Sequence, residues 1–414
     1  MKRVWKAFSY LFLSVVLFFG GVSLEVSPAK VVNQIKQDTD DILPDDVPPD
    51  GGEDAADSAA DAEDKGKKKE QKKEQKKNDN TPYRYYYSIM DAKKKSQYTI
   101  LEDAVAQMKD AVLIPDIVSD EVEALYLQVY YDHPEFFWMN NSYSYRMSGN
   151  GVEIVFEYTC TEKEKEKREA VINRQVQEIL AGMPTDSGEY EQIKYVFETL
   201  VNMTDYNLDA PDNQNIYSVF GNWESVCAGY ARATQHLLNQ VGIECIYVVG
   251  EAGENHAWNI VKCEGKYYYV DTTWGDPVYQ ELQGTEEQYK RMAYEYLCCP
   301  EELLFRTHTP DDTLNLPVCE DNSLEYYRLA DRYFETYDRN QIVELLKEDY
   351  LQGEKHTEFQ YGDESLYDQA HADFNAAFDE AVAQVHKETG QDASKVHCMY
   401  GGNRTTAVFT VDWK

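Results

Sequence analysis

Cys227 stands at the start of a segment that has the spacing of an amphipathic helix. Apolar residues recur every three or four positions through Val226–Gln240, and Gly242 follows as a helix stop. The first turn of a helix presents free N–H groups and the positive end of the helix dipole, and both favour a thiolate over a thiol. The sequence therefore predicts that Cys227 is a reactive cysteine of the kind that attacks a carbonyl carbon.

A strand at Ile243–Val249 and then a β-hairpin are predicted after this helix. Two apolar runs flank the tight turn Glu264-Gly265. With a two-residue turn, Trp258 lies opposite Asp271, and His256 shares the face of Trp258 because strands have a period of two. His256 and Asp271 are then diagonal neighbours about 7 Å apart at the backbone, so their side chains can meet. A carboxylate there holds the imidazole tautomer and leaves the other ring nitrogen for the cysteine, although a one-residue register slip would move it to the opposite face.

Three motifs around these residues resemble the transglutaminase-like superfamily, and most of all its bacterial secreted branch. They are CAGYARA at 227–233, GENHAWNIV at 253–261 and YYYVDTTWGDP at 267–277. The resemblance covers about residues 190–310. It implies a papain-like arrangement, in which a helix carrying the cysteine packs against an antiparallel sheet carrying the histidine and the acid. It also implies roles for Cys227 as the nucleophile, His256 as the base and Asp271 as the third member of a catalytic triad.

The resemblance extends to the residues around the triad. The backbone N–H of the nucleophile is expected to be one oxyanion donor, and Tyr217, which lies where related sequences often carry a tyrosine, is predicted as a second. Trp258 and Trp274 are interpreted as core or cleft walls rather than as chemical participants. Ser225 departs from the family, whose members often have glycine two residues before the cysteine.

The composition of the chain argues against several classes of function. The net charge of −35 is unsuited to nucleic acid, which needs Lys and Arg on the protein. The eight cysteines include no CxxC pair and no Cys/His spacing of a zinc site. We therefore predict no metal and no cofactor, and we assign no disulfide pairing. His133 and Glu135 are interpreted as part of a helix-ending turn, DHPE, rather than as a metal or acid–base pair.

The N-terminus predicts an extracytoplasmic protein. Lys2, Arg3 and Lys6 precede the uncharged apolar run Ala7–Leu24, which is typical of a signal peptide or a membrane anchor. The basic start predicts that everything after the run lies outside the cell, secreted or held at the membrane by residues 1–30 alone. Residues 31–80 are acidic and then Lys-rich, and are predicted to be a disordered linker.

The fold class predicted for the remainder is α+β, with a central transglutaminase-like domain at 186–310 between smaller α+β domains at 81–185 and 311–414. The predicted helices are Tyr98–Leu113, Ser119–Tyr131, Glu162–Leu180, Leu324–Leu346 and Leu366–Val385, and the predicted flanking strands are 136–138, Gly151–Tyr158 and Thr406–Trp413.

The activity expected from these features is thiol chemistry on a peptide or glutamine-type amide through a thioester. Water as the acceptor would make the protein a peptidase or amidase, whereas an amine would make it a transglutaminase that cross-links glutamine. Hydrolysis is favoured, because the bacterial branch includes many suspected peptidases and water is always available outside the cell. The expected partner is a protein or peptide substrate of the bacterial cell wall or surface. A surface binding module with a vestigial triad is the alternative from another class.

Overall fold

The computed structural model describes residues 83–184, 187–276 and 292–414. The predicted signal peptide or anchor at 1–30 and the predicted linker at 31–80 lie outside these residues. Within the part that the structure describes, no helix is both long and apolar enough to cross a membrane. The protein is of mixed α+β class.

The segment that precedes the cysteine region combines helices with a small antiparallel sheet. The strands pair in the order β1-β3-β2. The helix that follows this sheet begins with a capping box formed by Thr161 and Glu164. The elements are α1 (Tyr85–Ser88), α2 (Ala92–Ala106), β1 (Ala111–Pro115), α3 (Ser119–Asp132), β2 (Met139–Ser148), β3 (Gly151–Tyr158), α4 (Glu162–Gly182) and α5 (Glu189–Met203).

The central segment packs a helix against a five-stranded antiparallel sheet. Its elements are β4 (Asp205–Tyr206), a π-helical turn (Ser218–Asn222), β5 (Glu224–Ser225), α6 (Cys227–Gln240), β6 (Cys245–Glu251), β7 (Asn255–Cys263), β8 (Lys266–Val270), β9 (Leu297–Cys299), α7 (Glu301–Leu304) and β10 (Thr309–Pro310). The strand order is β10-β6-β7-β8-β9, and α6 lies on β6 and β7. The short strands β4 and β5 form a separate parallel pair directly before α6.

The C-terminal segment is a second sheet covered by two helices. The strand order is β11-β12-β14-β13, and α9 and α10 pack on β12. The elements are α8 (Tyr326–Leu329), β11 (Tyr333–Phe334), α9 (Arg339–Gln352), β12 (His356–Tyr361), α10 (Glu364–Thr389), a 3₁₀ turn (Ala393–Lys395), β13 (Cys398–Asn403) and β14 (Val408–Trp413).

Buried apolar side chains form two clusters. One runs from Tyr85 to Leu324 and joins the N-terminal segment to the central sheet, and the other runs from Phe334 to Val411. The N-terminal segment therefore contributes to the same core as the cysteine helix. The predicted domain limits at 185 and 310 stay predictions.

Several predicted elements are confirmed. The cysteine helix spans Cys227–Gln240 and is followed by Gly242 at φ +82°. The strand at Gly151–Tyr158 has the predicted bounds, and the helices predicted to begin at Ser119 and Glu162 begin there.

Three flanking predictions are wrong, each because a distant partner changes the local preference. The helix predicted to run to Leu113 ends at Ala106, since residues 111–115 pair with β3. Residues 136–138 form turns rather than a strand, and the indole of Trp138 donates to the Val105 carbonyl at 3.0 Å. The helix predicted over 324–346 is split by β11, which pairs with β12.

Candidate active site

The thiol of Cys227 lies at the first position of α6. The preceding residue, Val226, has extended backbone angles and provides no side-chain cap to the helix. The N–H groups of the first turn are therefore not occupied by a capping side chain, and they face the region of the thiol with the positive end of the helix dipole. The cysteine is 5% exposed, so its reactive atom lies at the edge of the core.

Ser225 fits before the cysteine because the facing position on α6 is a glycine. A Cβ on Gly229 would lie 1.9 Å from the Ser225 Oγ and 2.9 Å from the Ser218 Oγ. The two serine hydroxyls are 2.6 Å apart and hydrogen-bonded. The departure from the family pattern at Ser225 is thus accommodated by the missing side chain at Gly229.

The hairpin after the helix has the predicted register. Cys263 pairs with Lys266 across the turn, in which Glu264 and Gly265 have φ +51° and +82°. Such a turn of two left-handed residues matches the twist of the strands. Continuing the observed pairs places Trp258 opposite residue 271, on the face that was predicted.

The Asp271 carboxylate is fully buried and accepts four hydrogen bonds. Its Oδ1 accepts from the backbone N–H groups of Thr273 at 2.9 Å and Trp274 at 3.1 Å. Its Oδ2 accepts from His256 Nε2 at 2.7 Å and from His308 Nε2 at 3.0 Å. Burial opposes ionisation, but the two histidines outweigh it and hold the pKa of Asp271 well below its usual range. The site therefore contains a fixed negative charge.

His256 lies between this charge and the thiol. Because Nε2 is bonded to Asp271, Nδ1 is the ring nitrogen available to Cys227, whose thiol lies near enough to the imidazole to raise its pKa. Burial lowers the pKa of His256, but the interactions with Asp271 and Cys227 outweigh it and raise the pKa to about 10. The imidazolium form of His256 is thus favoured at neutral pH.

Two side-chain contacts hold the helix in place over the sheet. The buried amide of Asn259 on β7 donates to the Ala231 carbonyl of α6 at 3.0 Å. The hydroxyls of Thr234 on α6 and Thr272, next to the buried acid, are 2.8 Å apart. Each contact ties α6 to a strand or turn that carries another member of the site, which limits their relative movement.

The predicted turn at His133 also positions the helix. The helix α3 ends at Asp132, one residue beyond the predicted Tyr131 and at the start of the predicted turn, and His133 Nδ1 lies 2.7 Å from Glu135 Oε1. The carbonyls of Tyr130 and His133 accept hydrogen bonds of 2.8 Å from the buried guanidinium of Arg232 on α6. Arg232 anchors the cysteine helix to the N-terminal segment together with Gln235, whose amide donates to the Tyr131 carbonyl at 2.9 Å.

Residues 174–272 match the family model described as the transglutaminase-like superfamily. This stretch includes Cys227, His256 and Asp271. This part of the chain is similar to a transglutaminase-like core.

Several known proteins are similar to parts of this chain. The kyphoscoliosis peptidase of Mus musculus is 22% identical over 160 residues, which are 34% of this chain and 23% of that protein. The chain thus spans about a quarter of the length of this curated relative. A solved TGase has a TM-score of 0.25 and 14% identity, over 42% of this chain and 54% of its own. The periplasmic domain of TgpA from Pseudomonas aeruginosa has a TM-score of 0.21 and 16% identity, over 30% and 53%.

The two tryptophans predicted as walls of the transglutaminase-like core both lie beside the histidine. The Trp258 ring is buried and stacks on His256 at a centroid distance of 5.8 Å. The half-buried Trp274 ring lies 6.1 Å from His256. Tyr217 instead packs against the guanidinium of Arg168, at 4.6 Å. Its role as an oxyanion donor stays a prediction.

Sequence reasoning missed two residues near the triad, His308 and Tyr206. Tyr206 lies on β4 opposite Ser225, two residues before the cysteine. Burial, with added repulsion from Cys227, Glu254 and Asp271, raises the pKa of its hydroxyl, which stays protonated and able to donate. No local periodicity marks either residue, since each reaches the site through a distant strand pairing.

One group among the described residues has the composition of a metal site. Donor atoms of His256, Asp271 and His308 all lie within 4.8 Å of one another. The distances from Asp271 Oδ2 to His256 Nε2 and His308 Nε2, 2.7 and 3.0 Å, are ordinary hydrogen-bond lengths. In such bonds each Nε2 carries a hydrogen and has no lone pair to offer a metal. We therefore describe the group as a hydrogen-bonded network.

The remaining cysteines differ from Cys227 in their surroundings. All eight thiols are free. Burial raises the pKa of Cys245 well above its usual range, and burial with nearby acidic groups raises that of Cys263 to about 12. Both stay protonated at neutral pH, which makes Cys245 a suitable internal reference for the reactivity of Cys227.

Proposed function

We propose that the protein is a thiol hydrolase of peptide or glutamine-type amide bonds, in which Cys227, His256 and Asp271 act as a triad. The observation that carries the proposal is the position of His256. Its Nε2 is bonded to a buried carboxylate, and the thiol at the start of α6 lies near enough to the imidazole to raise its pKa. This is the arrangement of nucleophile, base and orienting acid that acyl transfer requires.

The proposed reaction proceeds through a thioester. The Cys227 thiolate attacks the substrate carbonyl, and the negative charge that develops on oxygen is stabilised by N–H groups at the start of α6. The imidazolium of His256 gives its proton to the departing amine, and the C–N bond breaks. A water molecule, deprotonated by His256, then attacks the thioester and releases the acid, with the thiolate and the imidazolium restored.

An amine acceptor is the second candidate, and one feature of the site favours it. Glu254 is exposed and lies near enough to Tyr206 to raise the pKa of its hydroxyl, as Cys227 also does. A carboxylate near the cysteine, in a chain with a net charge of −35, would attract a lysine side chain. Transfer to lysine would make the protein a transglutaminase. A binding module with a vestigial triad is the third candidate, and the paired charges of the site count against it.

The location that we propose is the outside of a bacterial cell, with a cell-wall or surface protein as substrate. The support comes from the sequence, in which the basic residues of 1–6 precede the apolar run Ala7–Leu24. This segment lies outside the described residues. Detecting the protein in the culture medium or on intact cells with an antibody would test the location.

The reaction is tested with a casein-like substrate in the presence of a fluorescent amine. Fragmentation without incorporation of the amine, lost in Cys227→Ala and kept in Cys245→Ala, is the expected result. Incorporation that is lost in Cys227→Ala would replace the proposed hydrolase by a transglutaminase. If neither occurs, and Cys227 is alkylated no faster than Cys245 at neutral pH, the protein is not a thiol enzyme.

A further inference from the structure

His308 is a buried histidine that the triad does not require. It is the residue directly before β10, and its Nε2 lies 3.0 Å from Asp271 Oδ2. The same oxygen accepts from His256 Nε2 at 2.7 Å. Two imidazoles therefore donate to one carboxylate oxygen.

The orientation of His308 is fixed by its surroundings. Its Nδ1 lies 2.7 Å from the Thr307 Oγ1, which is 2.8 Å from the Tyr296 hydroxyl. When Nε2–H donates to the carboxylate, Nδ1 of a neutral ring accepts from Thr307, which in turn accepts from Tyr296. The ring lies edge-on to Trp258 at a centroid distance of 5.1 Å and 4.7 Å from Trp274. Both nitrogens and both flanks of the ring are thus engaged.

A glycine brings the strand that follows His308 to the site. On β6, Gly250 pairs with Pro310 of β10 on one side and with His256 of β7 on the other. A Cβ at Gly250 would lie 2.2 Å from the Thr309 carbonyl oxygen and 2.8 Å from the Pro310 Cα. The close approach of β10 depends on the missing side chain, and it sets where His308 enters the core.

We propose that His308 is a positioning residue that acts through Asp271 and extends the triad to a buried tetrad. The inference rests on the proposed function. An acceptor oxygen with two donors has one preferred orientation, so His308 keeps Oδ2 in line with His256 Nε2. The imidazole of His256 is then held with Nδ1 toward the thiol through each step of the reaction.

The effect falls on the chemical step rather than on substrate binding, because His308 is fully buried and does not reach the cleft. Loss of a hydrogen bond to a charged group corresponds to a decrease in kcat on the order of tenfold to a hundredfold. KM should change little. If His308 only packed in the core, its substitution would change the free energy of unfolding but would not lower kcat selectively at constant KM.

The test compares His308→Leu with His308→Gln in the full chain. The amide nitrogen of glutamine stands the same number of bonds from Cα as Nε2 and can donate to Asp271, whereas leucine cannot. We measure kcat, KM and the rate of Cys227 alkylation by iodoacetamide relative to Cys245, with the unfolding midpoint as a control. The leucine variant should lose kcat and slow the alkylation, and the glutamine variant should restore most of both.

The outcomes separate the inference from the function on which it rests. Wild-type kcat and alkylation in His308→Leu, or an equal loss in both variants, would overturn the role of His308 while the triad stands. A wild-type protein without fast Cys227 alkylation would remove the proposed function and the inference together. Should His308→Leu fail to fold, Thr307→Val removes the hydroxyl that holds Nδ1. A decrease in kcat of about threefold to tenfold is expected there, and an unchanged kcat would count against the proposal.

Discussion

At the scale of single residues, the site is organised around the charge of Asp271. A buried carboxylate is costly unless several donors stabilise its ionised form. Here two backbone N–H groups and two imidazoles do so. The charge in turn keeps His256 protonated at neutral pH. The buried carboxylate thus determines the charge of His256, the proposed base.

A pH prediction follows from the raised pKa of His256, which is about 10. Cleavage of an amide needs the imidazolium to protonate the leaving amine, so kcat for an amide substrate should hold below that pH and fall as pH rises through about 10. An activated ester, whose leaving group needs no proton, serves as the control and should not show this decrease.

Asp271→Asn tests the cause of this pH limit. Without the negative charge, the limit for the amide substrate should move down toward the ordinary histidine value of about 6.5, and kcat should fall by about a thousandfold or more. A wild-type limit already near pH 7 would contradict the assignment of the raised pKa to Asp271.

At the scale of elements, the position of α6 depends on groups outside the central sheet. Arg232 is fully buried and donates to two carbonyls at the end of α3. Arg232→Met keeps much of the volume but removes the guanidinium from both carbonyls, of which only that of His133 keeps another donor, the Phe136 N–H. The variant should therefore lower the free energy of unfolding by about 2–4 kcal/mol in urea titrations. The control is Arg404→Met, which removes exposed ion pairs to Asp368 and Glu364 and should cost less than about 1 kcal/mol. Equal effects would contradict the anchoring role of Arg232.

The start of α6 gives a second prediction at this scale. Gly229→Ala places a methyl group against the Ser225 Oγ, which should destabilise the protein by about 1–3 kcal/mol despite the better helix propensity of alanine. Replacing Ser225 by glycine in the same chain removes that contact, and the double variant should regain at least half of the loss. A double variant as unstable as Gly229→Ala would show that the strain lies elsewhere.

The elements also show which contacts can be predicted from the sequence and which cannot. The hairpin register was predictable because Glu264-Gly265 determines it locally, and with it the meeting of His256 and Asp271. His308 was not predictable, since it stands 37 residues from Asp271 and reaches it through the pairing of β10 with β6. The prediction that a helix runs to Leu113 is wrong for the same reason, because residues 111–115 pair with β3 as a strand. Contacts that depend on pairing between strands far apart in the sequence produce no pattern in the neighbouring residues.

At the scale of the whole molecule, charge is the dominant feature. A net charge of −35 means that like charges repel one another across the folded surface. Salt screens this repulsion over a distance of about 10 Å at 0.1 M. The urea midpoint of unfolding should therefore rise when NaCl is added at neutral pH, and a choline chloride series of equal ionic strength should match it. A midpoint that falls with salt would show that attractive ion pairs outweigh the repulsion.

The four hydrogen bonds to Asp271 have a consequence for how protons move. A carboxylate has about four lone-pair sites, and each of them here faces a donor. These donors hold the pKa of Asp271 well below its usual range, so the carboxylate does not take the proton of His256. In the proposed reaction a single proton then travels between His256 and the leaving group. In mixtures of H₂O and D₂O, kcat should then vary linearly with the deuterium fraction. A curved dependence of kcat on the deuterium fraction would show that a second proton moves in the same step.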